Sequence, residues 1–194
     1  MSEERAEPRW TTVSDPRVMR ALAHPARIAI MEHLGSTGRA VTATECAEVV
    51  ELSPSATSYH LRELARFGLV EQAPSRGDAR ERLWRAVQPS FRVDGGQGAS
   101  PDTRAAEWSL VEAFAARDFE RLRDWVRRSY DEPKQWYDAA IISGTVLLLT
   151  AEELTRLNAA VLELVEPYRR RNRQTEAPAE ARPVALNYST LPLE

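Results

Sequence analysis

Between Ser53 and Gly68 the chain reads SPSATSYHLRELARFG, and its polar positions are unusual for a solvated helix. At a 3.6-residue period Leu61 and Leu64, with Ala56 or Thr57 a turn earlier, must face a core. Ser55, Ser58, Tyr59, Arg62 and Arg66 then fall on the opposite side. Small hydroxyls let a helix approach base edges closely, and two arginines reach phosphates or the edge of a guanine. Faces of serine, tyrosine and arginine also occur on ordinary solvated helices, so the neighbouring residues have to decide.

A second cluster follows at once. GLVEQAPSRGDARERLWRAV reads as strand, turn and strand, with Gly77-Asp78 as the turn signal. Arg76, Arg80, Arg82 and Arg85 gather around it against Asp78 and Glu81. An arginine-bearing hairpin directly after such a helix is placed as a wing, able to touch flanking phosphates or a narrow minor groove. A solvated hairpin tip would explain SRGD but not its position.

The elements that must hold these two clusters are also legible. Asp15-Pro16 is an N-cap with proline at the first helical position, and Val18, Met19 and Leu22 give that helix its apolar side. After Pro25 a second helix turns Ile28, Met31 and Leu34 inward and ends at GSTG, 35–38. Thr42 and Glu45 form a capping box opening a two-turn helix with Cys46, Ala47 and Val50 inward. Leu52 plugs the turn, Ser53 caps the next helix with Pro54 at its first position, and Gly68 ends it. Two helices joined by a three-residue turn make a helix-turn-helix, whose second helix enters the major groove.

The order ALAHPARIAI, ECAEVVELSPSATSYHLREL, GLVE and an arginine-bearing hairpin resembles the winged helix-turn-helix repressors of the ArsR type, over about residues 15–88. The resemblance implies a homodimer whose helix Ser55–Arg66 reads operator DNA. It implies base or phosphate contacts from Ser55, Thr57, Ser58, Tyr59 and Arg62, and backbone contacts from the wing arginines. Glu51 departs from the pattern, since that turn often has glycine. Many members of that family sense metals through paired cysteines or histidine and carboxylate clusters. Here Cys46 has no second cysteine, lies on an apolar side, and reads as a buried hydrophobe. His24 and His60 read as structural or DNA-proximal, His33 has no histidine at helical spacing, and neither a metal nor a cofactor is expected.

Composition bounds the remainder. The chain has 194 residues, 43% hydrophobic and 28% charged, with a formal net charge of −3. That balance argues against a generally basic nucleic-acid binder but not against a local basic patch. The longest apolar run, AAIISGTVLLL at 139–149, falls short of the ~20 residues of a membrane span, and the charged N-terminus is no secretory signal. A single cysteine agrees with a reducing cytosol, and a cytoplasmic location is expected. No catalytic set emerges: there is no nucleophile elbow, no phosphate-binding glycine loop and no histidine after His60, so the protein is not expected to be an enzyme.

The expected organisation is a flexible N-terminus at 1–14, a winged helix-turn-helix at 15–88, a Gly/Pro/Ser-rich linker at 89–101, and an α+β unit at 102–194. The fold class is therefore mainly α with small β. In the last unit a long helix over 103–130 carries Trp108, Val111, Ala115, Leu122 and Trp125 in one stripe, with Phe114, Phe119 and Val126 beside it. A strand over 140–149, a helix from the Thr150–Glu153 capping box to about Arg170, and a strand from Val184 to Tyr188 complete it. Arginines 169, 170, 171 and 173 suit the dipole at that helix's C-terminal end. Trp108, Phe114, Trp125, Trp136 and Tyr137 are a candidate pocket for an apolar or aromatic effector, against the simpler expectation of a packed core. The reading is a sequence-specific DNA-binding transcription regulator, a homodimeric repressor open to release by a small organic ligand. The alternative is a winged-helix adaptor that binds protein and no operator, and salt dependence on duplex DNA separates the two.

Overall fold

Each helix expected in the first half of the chain starts at the cap its sequence supplies. The computed structural model describes residues 11–75, 77, 81–173 and 176–193, Thr11 by its backbone alone. Asp15 accepts the Arg17 N–H at 2.8 Å and opens α1 (Pro16–Leu22). His24 Nδ1 accepts the Ala26 N–H at 3.2 Å and opens α2 (Pro25–Thr37). Thr42 and Glu45 exchange the two bonds of a capping box at α3 (Ala43–Val50). Ser53 Oγ accepts the Ala56 N–H at 3.2 Å and opens α4 (Pro54–Arg66). Proline stands first in α1, α2 and α4, where its missing N–H has no helical partner to lose.

These helices bury the residues their spacing singled out. Met19, Leu22, Ile28, Met31, Leu34, Cys46, Ala47, Leu61 and Leu64 are all buried, and Val18 and Val50 pack against the same core. Gly35, on the buried side of α2, has the Pro89 carbonyl inside the space a Cβ would need, so only glycine allows that approach.

The hairpin forms as β3 (Val70–Ala73) and β4 (Leu83–Ala86), antiparallel, with Glu71 opposite Arg85 and Gln72 opposite Trp84. A short strand before α3, β2 (Val41–Thr42), pairs with the other edge of β4, giving the order β2-β4-β3. Trp84 and Leu83 are buried and seat this sheet on the helices.

Two short strands correct the expected ends of the domain. β1 (Thr11–Val13) runs parallel to β5 (Phe91–Val93), in register Thr11 to Phe91 and Val13 to Val93. The segment expected to be flexible thus contributes buried Val13, and the segment expected to be a linker contributes a strand. Each is only three residues long and flanked by glycine, proline or charge, so neither shows a period that can be read alone. Residues 1–10 lie outside the described residues.

The chain divides into two compact units, with the boundary between Ala116 and Arg117. That boundary falls inside the long helix α5 (Pro101–Arg128) rather than at 89–101, because Ala106 and Leu110 belong to the core of the first unit and Phe114 packs on it. Phe91 and Phe114 meet at 5.8 Å between ring centroids.

In the second unit α5 ends in a single 3₁₀ turn, Ser129–Asp131. The following segment DEPKQWYDAA, 131–140, includes a short helix, α6 (Lys134–Ala139). α7 (Ala151–Val165) opens with the Thr150–Glu153 capping box and continues as 3₁₀ turns to Asn172. The strands expected over 140–149 and 184–188 do not form. The later segment lies along α7 instead, where the Tyr188 and Thr190 hydroxyls donate to Asn158 Oδ1 at 2.9 and 3.0 Å. No backbone ladder joins it to 140–149, whose Ile141 and Leu148 remain exposed. The short sheet of the second unit is therefore absent among the described residues, while the chain as a whole is mainly helical with a small sheet. No helix among the described residues is long and apolar enough to cross a membrane.

Candidate nucleic-acid interface

The turn from α3 to α4 is closed by Glu51, at φ 56° and ψ 40°, with its N–H donating to the Ala47 carbonyl. The Leu52 N–H donates to the same carbonyl at 3.1 Å. Glu51 is the single non-glycine residue at positive φ among the described residues. The place where glycine is common is therefore a left-handed turn, and glutamate adopts that geometry at some cost in strain.

α4 is held from behind by three contacts. Thr57, Leu61 and Leu64 are wholly buried against the core. The Arg27 guanidinium donates to the Ala21 carbonyl at 2.9 Å and stands 3.8 Å from Glu63, which also binds Arg66 at 2.9 Å. The His60 ring lies 4.6 Å from that of His24, the cap of α2, tilted by 46°. Its ring therefore faces the α1–α2 corner and not the outer face of α4. Burial, followed by the positive neighbours His24 and Arg27, pushes its pKa down against the opposing charge of Glu63.

Thr57 is thereby corrected. The resemblance placed it among the DNA contacts, but its side chain is buried beneath α4 and cannot reach a duplex. It lies one turn before Leu61, and the core claims both.

The remaining α4 residues stay together. At 100° per residue Ser55, Ser58, Tyr59, Arg62 and Arg66 lie within an arc of about 100° opposite Thr57 and Leu61. Ser55, Tyr59, Arg62 and Arg66 are exposed and Ser58 is half-buried, with Tyr59 52% accessible. Arg82, immediately before β4, opens onto the same side: Ser58, Arg62 and Arg82 share a cleft of about 550 Å³ with Thr42, Ala43, Thr44, Glu45, Glu48, Glu81 and Trp84. Arg85 is differently employed, paired across the hairpin with Glu71 at 2.6 Å. Arg76 and Arg80 lie outside the described residues.

Of the cleft's carboxylates, the sequence pointed to Glu45 and Glu81 but not to Glu48. Glu45 is spent on the capping box, whereas Glu48 is exposed on α3 beside Arg62. One turn separates Glu48 from Glu45, but no linear period connects α3 with α4 and the wing. Cys46, one turn from the cleft, is wholly buried, and burial pushes its thiol up to about 11.

The five residues of the candidate effector pocket have separate surroundings. Trp108 is 64% exposed, and Phe114 packs on the first unit's core. In the second unit Arg128 covers Trp125 at 5.0 Å, Arg182 covers Trp136 at 4.9 Å, and Tyr137 meets Tyr130 at 6.3 Å. A shallow hollow of about 310 Å³ touches Tyr137 and Tyr130 among otherwise polar residues. The strand expected over 140–149, just after Trp136 and Tyr137, does not form. The arginines near 170 are also accounted for locally. Arg169 and Arg171 bind Glu166 at 2.8 and 3.0 Å, and Arg173 lies over Tyr168 at 5.0 Å. Burial alone would raise the Glu166 carboxyl, but the Asn172 hydrogen bond and the charges of Arg171 and Arg169 outweigh it and hold the pKa low.

Residues 22–73, from the end of α1 through β3, match the family model described as a helix-turn-helix domain. This stretch is a helix-turn-helix. With the β3–β4 hairpin beside α4 it is the winged form, the architecture of a DNA-binding transcription regulator. The solved structures it resembles include the YusO protein of Bacillus subtilis, at 15% identity over 73% of this chain and 74% of that one, with a TM-score of 0.32. They include Lactococcus lactis ZitR, a zinc-responsive MarR family member, at 16% identity over 75% of each chain and a TM-score of 0.32. Wild-type apo MarR of E. coli matches at 14% identity over 77% of this chain and 87% of that one, also at 0.32. No curated protein matches the sequence.

Proposed function

We propose that the protein is a sequence-specific transcription regulator of the ArsR type that binds its operator as a homodimer and acts as a repressor. One observation carries this reading: Ser58 and Arg62 of α4 open onto the same cleft as Arg82 of the wing, so a base-reading helix face and a phosphate-binding arginine are offered together. Ser55, Ser58, Tyr59, Arg62 and Arg66 read or clamp the major groove, and Arg76, Arg80 and Arg82 grip the flanking backbone. A single winged helix covers one half-site, and two related by a two-fold axis reach successive turns of the duplex. A dimer seated across a promoter excludes other proteins from it, hence repression.

Selection of bound sequences from a pooled duplex library, followed by affinity measurements across a salt series, tests the reading. The expected result is an enriched inverted repeat with a steep negative log–log salt slope. A protein-binding adaptor would enrich no sequence and show no such slope.

A further inference from the structure

The charged side chains that line the cleft between α3, α4 and the wing are Glu45, Glu48 and Glu81 against Arg62 and Arg82. A surface offered to phosphates thus carries more negative charge than positive. Glu45 is accounted for, since it accepts the Thr42 N–H at 2.6 Å in the capping box. Glu63, elsewhere on α4, is likewise occupied by Arg66 and Arg27. Glu48 makes no ion pair or hydrogen bond of this kind among the described residues. Nor does α3 gain from it. Glu48 is exposed and follows Glu45, a like charge, by three residues on the same side. It also stands in the last turn of α3, where the helix dipole disfavours an anion.

Arg62 has the complementary property. It is exposed on the outer face of α4, one turn after Ser58, and it too has no partner among the described residues. A guanidinium carries five N–H donors in a planar fork. Two of them match O6 and N7 of a guanine, which leaves another edge for a carboxylate. A carboxylate on that edge fixes the direction of the fork and competes with phosphates for it.

We propose that Glu48 is a positioning residue for base recognition, its carboxylate holding the Arg62 guanidinium toward a base edge and away from the phosphates. In the free protein the two side chains share the cleft without an ion pair. A duplex seated on the cleft expels water and strengthens their attraction. The consequences on different duplexes have opposite signs. Where no operator is present, binding rests on phosphate attraction alone, and Glu48 weakens it. On the operator, Glu48 strengthens a contact that reads a base. It therefore widens the difference between the two affinities, which is what specificity measures. This rests on the DNA-binding reading above and adds how one base position is chosen.

Competition binding by the purified full chain tests it. The duplexes are the operator recovered by selection, the same duplex altered at the base pair that Arg62→Ala ceases to read, and an unrelated sequence. Glu48→Ala exchanges an exposed helical residue for the best helix former, so it is expected to fold as the parent does. The variant should bind the operator about three- to tenfold more weakly. It should bind the unrelated duplex about two- to fivefold more tightly. It should also lose preference at the same base position as Arg62→Ala, and in the Arg62→Ala background it should change base preference no further. Preference kept at that position, with only the unrelated duplex bound more tightly, would make Glu48 an ordinary surface charge and overturn the proposal. A further loss of preference in the Arg62→Ala background would overturn it too, as would an Arg62→Ala chain as selective as the parent. A parent chain that selects no sequence would instead overturn the DNA-binding reading itself.

Discussion

The imidazole of His60, on the recognition helix α4, stands 4.6 Å from that of His24, which caps α2 through Nδ1. His60 Nδ1 is itself buried without a hydrogen-bond partner. Recognition helix and helix corner thus meet through these two rings. A proton on His24 Nδ1 removes the acceptor of the α2 cap, and a charge on His60 falls among Arg27 and His24, with Glu63 alone opposing it.

Stability should therefore fall in acid. The folded pKa of His60 lies below the ordinary 6.5, so below that pH the unfolded chain takes up more protons than the folded one. This contribution is fully present above about pH 6.5 and is lost as the pH falls through the lowered folded value. Urea unfolding at about pH 7.5 and about pH 5 should show the decline, and His60→Gln should shrink it. An identical pH slope in that variant would remove His60 from the account.

Thr57 offers a contrast between burial and contact. Its Oγ1 is buried with no hydrogen-bond partner, so the hydroxyl carries a desolvation cost that nothing repays. Thr57→Val keeps the shape and should hold or raise stability by up to about 1 kcal/mol. Operator affinity should be unchanged. A large loss of binding in a well-folded Thr57→Val variant would return the residue to the interface.

The two exposed arginines of the cleft should separate by kind. Arg62→Ala is expected to cost about 1–3 kcal/mol and relax preference at one base position, if sequences are compared by competition. Arg82→Ala should weaken all duplexes alike and reduce the salt slope by about one. Affinity and slope unmoved by both would contradict the assignment.

Gly35 should tolerate nothing larger. A methyl group there meets the backbone of Pro89, which cannot swing aside like a flexible side chain. Gly35→Ala should destabilise the first unit by about 1–3 kcal/mol, read as a lowered midpoint in thermal or urea unfolding. A variant as stable as the parent would mean that the segment after β4 gives way easily.

The sequence by itself determined what local chemistry controls. Asp15, Thr42, Ser53 and Thr150 cap the helices they precede, because a side-chain oxygen needs only the N–H two or three residues on. The 3.6-residue period separated Leu61 and Leu64 from Tyr59 and Arg62, and the strands read on either side of Gly77-Asp78 pair as a hairpin. Tertiary structure decided whatever depends on a distant partner. Thr57 is withdrawn from the DNA face because the core covers it, and three-residue β1 is a strand because β5 lies beside it. Residues 140–149 are an apolar run, yet form no strand, since a ladder needs a second backbone and 184–188 does not pair with them. The meeting of Arg62 with Arg82 and Glu48 in one cleft depends on how α3, α4 and the hairpin pack, and no local period encodes that.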